Sequence, residues 1–164
     1  MYKLILMLLL AYPANSQTSN VWNGIIPLKS TRADVEKILG KPEPMSIAKY
    51  AAGYRVKDGE VFVLYSTGLC NNDPAHGWNI PELTVINVDF SPDYPNPYKF
   101  SDLKIDRNKF EMHPDPGSLH LVSYTNEKDG VVLTVDTSSD TIRTFSYFPE
   151  SKYDYLKCAK VKKQ

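Results

Sequence analysis

The sequence predicts an α+β domain, in which an antiparallel, twisted sheet carries one or two short helices packed on one face. Three observations lead to this fold class. A short helix signal, capped at both ends, follows residue 30, and two Asp-Gly dipeptides, at 58–59 and 129–130, each lie between β-rich runs. The run 83–90 alternates apolar and polar residues, as a half-buried strand does.

The start of the chain has the pattern of a secretory signal peptide covering residues 1–16. One positive charge precedes an apolar run at 4–12, and the small residues Ala14 and Ser16 place the expected cut before residue 17. This run is much shorter than the roughly 20 residues that cross a bilayer. We therefore expect residues 17–164 to form one exported domain with no membrane span and no lipid anchor. The alternative for the run is a buried N-terminal strand or helix.

The predicted first helix begins at a capping box. Thr31 offers a hydroxyl to a free helix amide, and the acid at Asp34 suits the positive helix start. Gly40 supplies the left-handed cap and Pro42 prevents continuation. The apolar residues between these signals share one helical face: Val35, Ile38 and Leu39. A helix of eight or nine residues must pack on a sheet to be stable.

The remaining segments read mainly as strands and loops. Runs 47–55 and 60–66 flank the first Asp-Gly turn, and a long loop at 67–82 follows them. In the run 83–90 we expect Ile86, Val88 and Phe90 to share one face. Further strands are expected at 119–125, 131–136 and 141–148. Segment 100–112 is compatible with either a second short helix or an irregular strand.

A weak internal repeat relates two parts of the chain, at about 22–92 and 98–149. In each part a tyrosine precedes an Asp-Gly turn, a valine-rich run follows the turn, and a closing run starts at a threonine and ends at a proline. The pattern predicts a tandem helix–hairpin–strand duplication. The alternative is coincidence among short β-patterns.

Two cysteines, Cys70 and Cys158, follow the leader. In an oxidising compartment an isolated pair of cysteines usually forms a disulfide. The alternatives are buried free thiols or a redox or nucleophilic cysteine. Neither residue lies in a C-x-x-C motif.

Several classes of chemistry lack support in the sequence. Lysine and arginine number 19 against 19 aspartates and glutamates, so no basic excess indicates nucleic-acid binding. The three histidines, His76, His113 and His120, have no metal-ligand spacing. The chain also has no G-x-S-x-G elbow and no glycine-rich phosphate loop. We therefore predict no catalytic residue, no metal and no cofactor.

Segment 22–42 resembles a motif of small exported proteins of unknown function, W-x-G-I-x-P-L-x-S-T-R-x-D-V-x-x-x-L-G-x-P. Those proteins also carry a cysteine before G-W-N, as at 70–79 here, and a Y-x-P-x-x-x-D-x-x-L-x-C segment, as at 147–158. The resemblance implies a bond between Cys70 and Cys158. It brings no activity with it.

More remotely, the motif T-x-x-x-V-x-x-x-L-G-x-P is similar to the first helix of the BamE/SmpA outer-membrane assembly proteins. Two tandem helix–hairpin units resemble the β-lactamase inhibitory proteins. Both groups bind proteins without catalysis, the second through one sheet face, which implies a protein partner for this chain. Unlike BamE, this chain has no lipidated cysteine after its leader.

The aromatic content, with 11 tyrosines and two tryptophans, favours a contact surface, because these rings bury area while a polar tip stays wet. The candidate surface comprises loop 67–82, the exposed sheet face and four residues: Tyr65, Trp78, Tyr94 and Tyr98. Alternatively, the rings fill the core. We predict an exported, non-catalytic module that binds an envelope or secreted protein. The alternatives are an extracytoplasmic enzyme or small-ligand carrier with a site not evident from sequence, and a structural envelope protein.

Overall fold

A computed structural model of the chain describes residues 20–44, 47–70 and 77–158. One antiparallel sheet of eight strands dominates the molecule. The predicted leader lies outside the described residues. The strands, in chain order, are β1 (Ile47–Ala48), β2 (Ala51–Val56), β3 (Gly59–Tyr65), β4 (Val85–Pro92), β5 (Glu111–Pro114), β6 (Leu121–Asn126), β7 (Val131–Asp136) and β8 (Thr141–Tyr147).

The strand order is symmetrical about the centre of the sheet. It runs β1-β2-β3-β4-β8-β7-β6-β5, so that each half is a short edge strand, a hairpin and a closing strand. The closing strands β4 and β8 pair with each other and join the halves. This order is what two related halves would give, while their duplication stays a prediction.

The predicted fold class is wrong in its balance of helix and sheet. Within the described residues a single α-helix, α1 (Arg32–Leu39), accompanies the sheet, together with short 3-10 turns. The protein is therefore sheet-dominated, rather than a sheet with one or two helices on a face. Nowhere in the described ranges is a helix long and apolar enough to cross a bilayer.

Segment 100–112 forms no α-helix. Its apolar residues Leu103 and Phe110 are seven residues apart and would share a helical face, but Ile105 would lie on the opposite side. The segment instead lays these side chains against the core in irregular backbone, with one 3-10 turn at Arg107–Lys109 before β5. The local sequence of this segment favours neither helix nor strand strongly, so its packing on the sheet determines its conformation.

Helix α1 has the predicted capping box and terminal glycine. The Thr31 amide donates to the Asp34 carboxylate at 2.8 Å, and the Asp34 amide donates back to the Thr31 hydroxyl at 3.3 Å. Val35 is fully buried, whereas Ile38 is 45% exposed, so the buried helix face is narrower than predicted.

Arg32 attaches helix α1 to the sheet. Its guanidinium donates to the carbonyls of Ala48 and Lys49, both at 3.2 Å, and lies 5.6 Å from the centre of the Tyr65 ring. The two carbonyls belong to the last residue of β1 and the first residue of the turn between β1 and β2. This turn divides the run 47–55, which the sequence predicts as one strand.

Both closing strands contain a β-bulge near their start, at the second residue of β4 and the third residue of β8. The pairing of β3 with β4 skips Ile86, and the pairing of β7 with β8 skips Arg143. The bulge takes Ile86 out of the alternation, so only Val88 and Phe90 of the predicted face are buried.

The core lies on one face of the sheet, which we call the inner face. Helix α1 covers the first half of this face and segment 98–110 covers the second half. The buried residues of the strands alternate with exposed ones, most regularly in β3. The largest fully buried side chains of the sheet are Tyr54, Tyr65 and Ile142.

Gly130, in the turn between β6 and β7, lies very close to the backbone that follows β8. It has a φ of +67°, and a Cβ atom there would stand 2.1 Å from the Phe148 carbonyl oxygen. Gly24 has a similar φ of +82° but open space around it. We expect Gly24→Ala to lower the free energy of unfolding by about 1 kcal/mol, from backbone strain alone.

Gly130→Ala adds a backbone clash to the same strain, so we expect a loss of at least about 3 kcal/mol. Urea unfolding of both variants measures the difference. Equal losses would contradict the close approach of Gly130 to the Phe148 carbonyl.

Candidate functional site

The face of the sheet opposite the core, which we call the outer face, extends across seven strands. Directly paired residues project from the same face of a sheet. The register therefore places one residue from each strand in a row, which we call the first row. Its members are Gly53, Phe62, Asp89, Ser146, Val132, Thr125 and Glu111.

A second row runs beside the first. Ser91 and Thr144 connect its two halves, with their hydroxyl oxygens 3.5 Å apart. The members of this second row are Arg55, Glu60, Ser91, Thr144, Thr134, Ser123 and His113. Every residue of both rows is half-buried or exposed.

Short hydroxyl side chains dominate the middle of the outer face. Six of them form a continuous group across β4, β8, β7 and β6: Ser91, Thr144, Ser146, Thr134, Ser123 and Thr125. Hydroxyl groups both donate and accept hydrogen bonds, and short side chains lose little entropy when they are fixed. This group can therefore adapt to hydrogen-bonding groups of another molecule.

Acidic residues surround a shallow hollow at the β2–β4 side of the outer face. The hollow has a volume of about 150 Å³, and it opens above Gly53. The exposed ring of Phe62 and the carboxylates of Glu43, Glu60 and Asp89 line it. A second hollow of about 150 Å³ lies near the β6–β7 turn, at Lys109, Asn126, Lys128 and Asp129.

The four aromatic residues predicted to form a contact surface do not come together. Tyr65 is 2% exposed, and its hydroxyl is 2.9 Å from that of Tyr54 inside the core, so it is not on the surface. Tyr98 is half-buried and packs edge-on against Phe90 and Phe145.

The other two predicted aromatics are accessible at separate places. Tyr94 is 93% exposed in the turn after β4. Trp78 is half-buried, and the Lys157 ammonium lies 5.5 Å from its ring centre. Whether either residue contacts a partner stays a prediction. Residues 71–76 of the predicted loop surface lie outside the described residues.

The expected disulfide between Cys70 and Cys158 is present, with 5.3 Å between the Cα atoms. It fastens the end of the chain to the loop after β3. Beside it, the Cys158 amide donates to the Gly77 carbonyl at 3.1 Å, and the Asn79 amide donates to the Leu156 carbonyl at 2.7 Å. The alternatives of free or nucleophilic thiols are thereby wrong for this structure.

The described residues contain no group of three His, Cys, Asp or Glu side chains arranged to hold a metal ion. His113 is exposed in β5, where its Nε2 is 3.7 Å from a Glu111 oxygen. His120 is also exposed, and His76 lies outside the described residues.

The sequence reasoning missed the hydroxyl group and the hollow, because it searched for aromatic residues. A signal was present in the strands of the second half. Ser123 and Thr125, then Thr144 and Ser146, are spaced by two residues, which places each pair on one face of its strand. Gly53 within a predicted strand was the signal for the hollow.

Comparison with known proteins gave no relatives: no family model matches the chain, and neither a curated protein nor a solved structure is similar to it. The fold and the outer face therefore carry the functional argument.

The disulfide closes a separation of 88 residues, so its loss should destabilise the protein strongly. We expect the double variant Cys70→Ser, Cys158→Ser to lose about 4–5 kcal/mol of unfolding free energy, the value of the chain-entropy model for this loop length. Urea unfolding without reductant measures the loss. Wild-type protein unfolded with reductant should match the variant, and an unchanged midpoint would contradict the prediction.

Burial of tyrosines should make the protein sensitive to alkali. Burial raises the pKa of Tyr147 to about 12, and it also raises the pKa values of Tyr54 and Tyr65 above the usual 10. The unfolded chain then loses these protons at lower pH than the folded chain. The stabilisation is therefore complete below pH 10 and is lost as the pH rises towards 12.

Tyr147→Phe tests this directly. Relative to wild type, it should remove roughly 2 kcal/mol of the stability loss between pH 10 and pH 12. Tyr94→Phe, at an exposed ring, is the control and should leave the pH profile of wild type unchanged. The measurement is the urea midpoint of each protein across this pH range. Identical pH profiles of stability for the two variants would refute the role of Tyr147.

Proposed function

We propose that this chain is an exported protein-binding module without catalytic activity, and that it contacts its partner through the outer face. The observation that carries the proposal is the open face across seven strands, with its hydroxyl group at the centre. In an antiparallel sheet such a face stays in water or is covered by another molecule.

The size of the outer face suits a protein partner. Seven strands spaced by about 4.8 Å span about 29 Å, and five residues along a strand span about 17 Å. The flat area is then about 500 Å², more than half of the roughly 800 Å² that each partner contributes to a standard interface. Side-chain relief and the neighbouring turns add to this area.

The composition of the face also supports binding. Phe62, 42% exposed, and Val132 supply apolar area among the hydroxyl groups. Serine and threonine provide adaptable hydrogen bonds at low entropic cost, as in the contact loops of antibodies. Such a surface can bind a polar protein surface with specificity.

The remaining features fit the same role. The disulfide Cys70–Cys158 supports export, because disulfides persist in oxidising compartments. The two hollows of about 150 Å³ are smaller than typical small-molecule sites of roughly 300–1,000 Å³. Neither of these two hollows therefore supports the alternative of an extracytoplasmic enzyme or ligand carrier.

Affinity capture tests the proposal. Tagged protein, expressed with its own leader, is cross-linked mildly in the native envelope or secreted fraction, and captured proteins are identified by mass spectrometry. We expect one reproducible partner. Thr144→Arg places a long charged side chain at the centre of the outer face and should reduce capture at least tenfold, a loss of about 1.4 kcal/mol.

Ser151→Arg is the matched control, because it makes the same kind of change at an exposed residue outside the sheet. It should capture the partner as wild type does. Circular dichroism and urea unfolding check that both variants are folded. Equal capture by both variants would refute the outer face as the contact surface, and no enriched partner would refute the binding role.

A further inference from the structure

Gly53 lines the hollow on the outer face and has no side chain that could fill it. Glycine inside a strand is unfavourable and often marks a bulge or a place where another group approaches closely. The pairing of β2 with β3 is continuous through Gly53 and Phe62, so a bulge does not explain the glycine. The resulting volume of about 150 Å³ equals that of an engineered protein cavity of about 150 Å³ that binds benzene.

One wall of the hollow is aromatic and the next is charged. Phe62 is the direct neighbour of Gly53 across the strands, and Asp89 is the direct neighbour of Phe62. The side-chain amide of Asn87 donates a hydrogen bond to the Asp89 carboxylate at 2.7 Å, which orients the carboxylate. The hollow thus offers a ring face beside an oriented anion.

The charge around the hollow is negative. Glu43 and Glu60 complete its lining with Asp89. The guanidinium of Arg55 contacts Glu60 at 3.2 Å and Asp93 at 2.5 Å. Within the described residues, no cation lies within 4 Å of the carboxylate of Asp89 or Glu43.

We propose that the partner protein inserts an arginine side chain into this hollow, with its guanidinium stacked on Phe62 and paired with Asp89. A guanidinium is planar, close to benzene in size, stacks on aromatic faces and binds carboxylates in a forked geometry. The exposed ring matches the planar, stacking character of the guanidinium, the carboxylates match its forked hydrogen bonding, and the hollow matches its size. The inference rests on the proposed binding role and names the chemistry that the outer face recognises.

The test uses isotope-labelled protein, expressed with its own leader, and N-acetyl-arginine methylamide as the probe. Backbone amide shifts are recorded in a millimolar titration. We expect saturable shifts confined to residues around the hollow, weaker at high salt. N-acetyl-norleucine methylamide has an uncharged side chain and should give shifts that are much smaller.

Three variants locate the site. Asp89→Asn removes the central carboxylate, and Gly53→Val fills the hollow without a change of charge. Each should weaken arginine binding roughly two- to fivefold or more, as expected for a partly exposed ion pair. Glu111→Gln removes a carboxylate at the other end of the first row and should leave binding unchanged. Thermal unfolding confirms that each variant is folded.

The results separate this inference from the binding role. Equal binding of arginine and norleucine, equal effects of Asp89→Asn and Glu111→Gln, or the absence of saturable shifts would overturn the arginine site. If Thr144→Arg still reduced capture of the partner at least tenfold, the proposed binding role would stand without the arginine site. Loss of partner capture in Asp89→Asn, together with the expected titration, would support both.

Discussion

The pairing of β4 with β8 is the constraint on which the rest of the molecule depends. Only Val88, Asp89 and Phe90 are in register with β8, yet this short seam joins the two halves into one sheet. Phe90 and Phe145 face each other across it with ring centres 6.0 Å apart, and Tyr98 and Trp22 pack against them. Contacts between aromatic rings thus stabilise a strand pairing that has few hydrogen bonds. Because these rings hold the two halves together on the inner face, the outer face is continuous across the pairing of β4 with β8.

Local signals in the sequence were sufficient for the elements that form locally. The capping box at Thr31 and the Asp-Gly turns predicted α1 and both hairpins, because these residues satisfy or bend the backbone by themselves. Segment 100–112 and the break within 47–55 depend on distant partners, the second on Arg32. The bulges near the start of β4 and β8 depend on register and leave no composition signal. The sheet was therefore predictable, and its balance against helix was not.

One of the four aromatic residues predicted for the contact surface, Tyr65, lies in the core for a reason of packing. The sequence left open whether the aromatic rings form a contact surface or fill the core, and Tyr54, Tyr65 and Tyr147 belong to the core of a thin, one-sided sheet. The accessible face is left to small residues, which a search for large contact residues overlooks. A face built of serine, threonine and one glycine is informative only when the register aligns these residues across strands.

The ends of the described chain are exchanged between the halves. Asn20, ahead of the first half, donates to the Phe148 carbonyl of the second, while Cys158, behind the second half, is bonded to Cys70 of the first. Each half is thus bonded to a chain segment that lies beyond the other half in the sequence. Moving the halves apart would stretch the hydrogen bond from Asn20 and be opposed by the disulfide. A partner therefore binds a pre-formed, flat sheet face, and its association does not include the free-energy cost of closing a cleft between two halves.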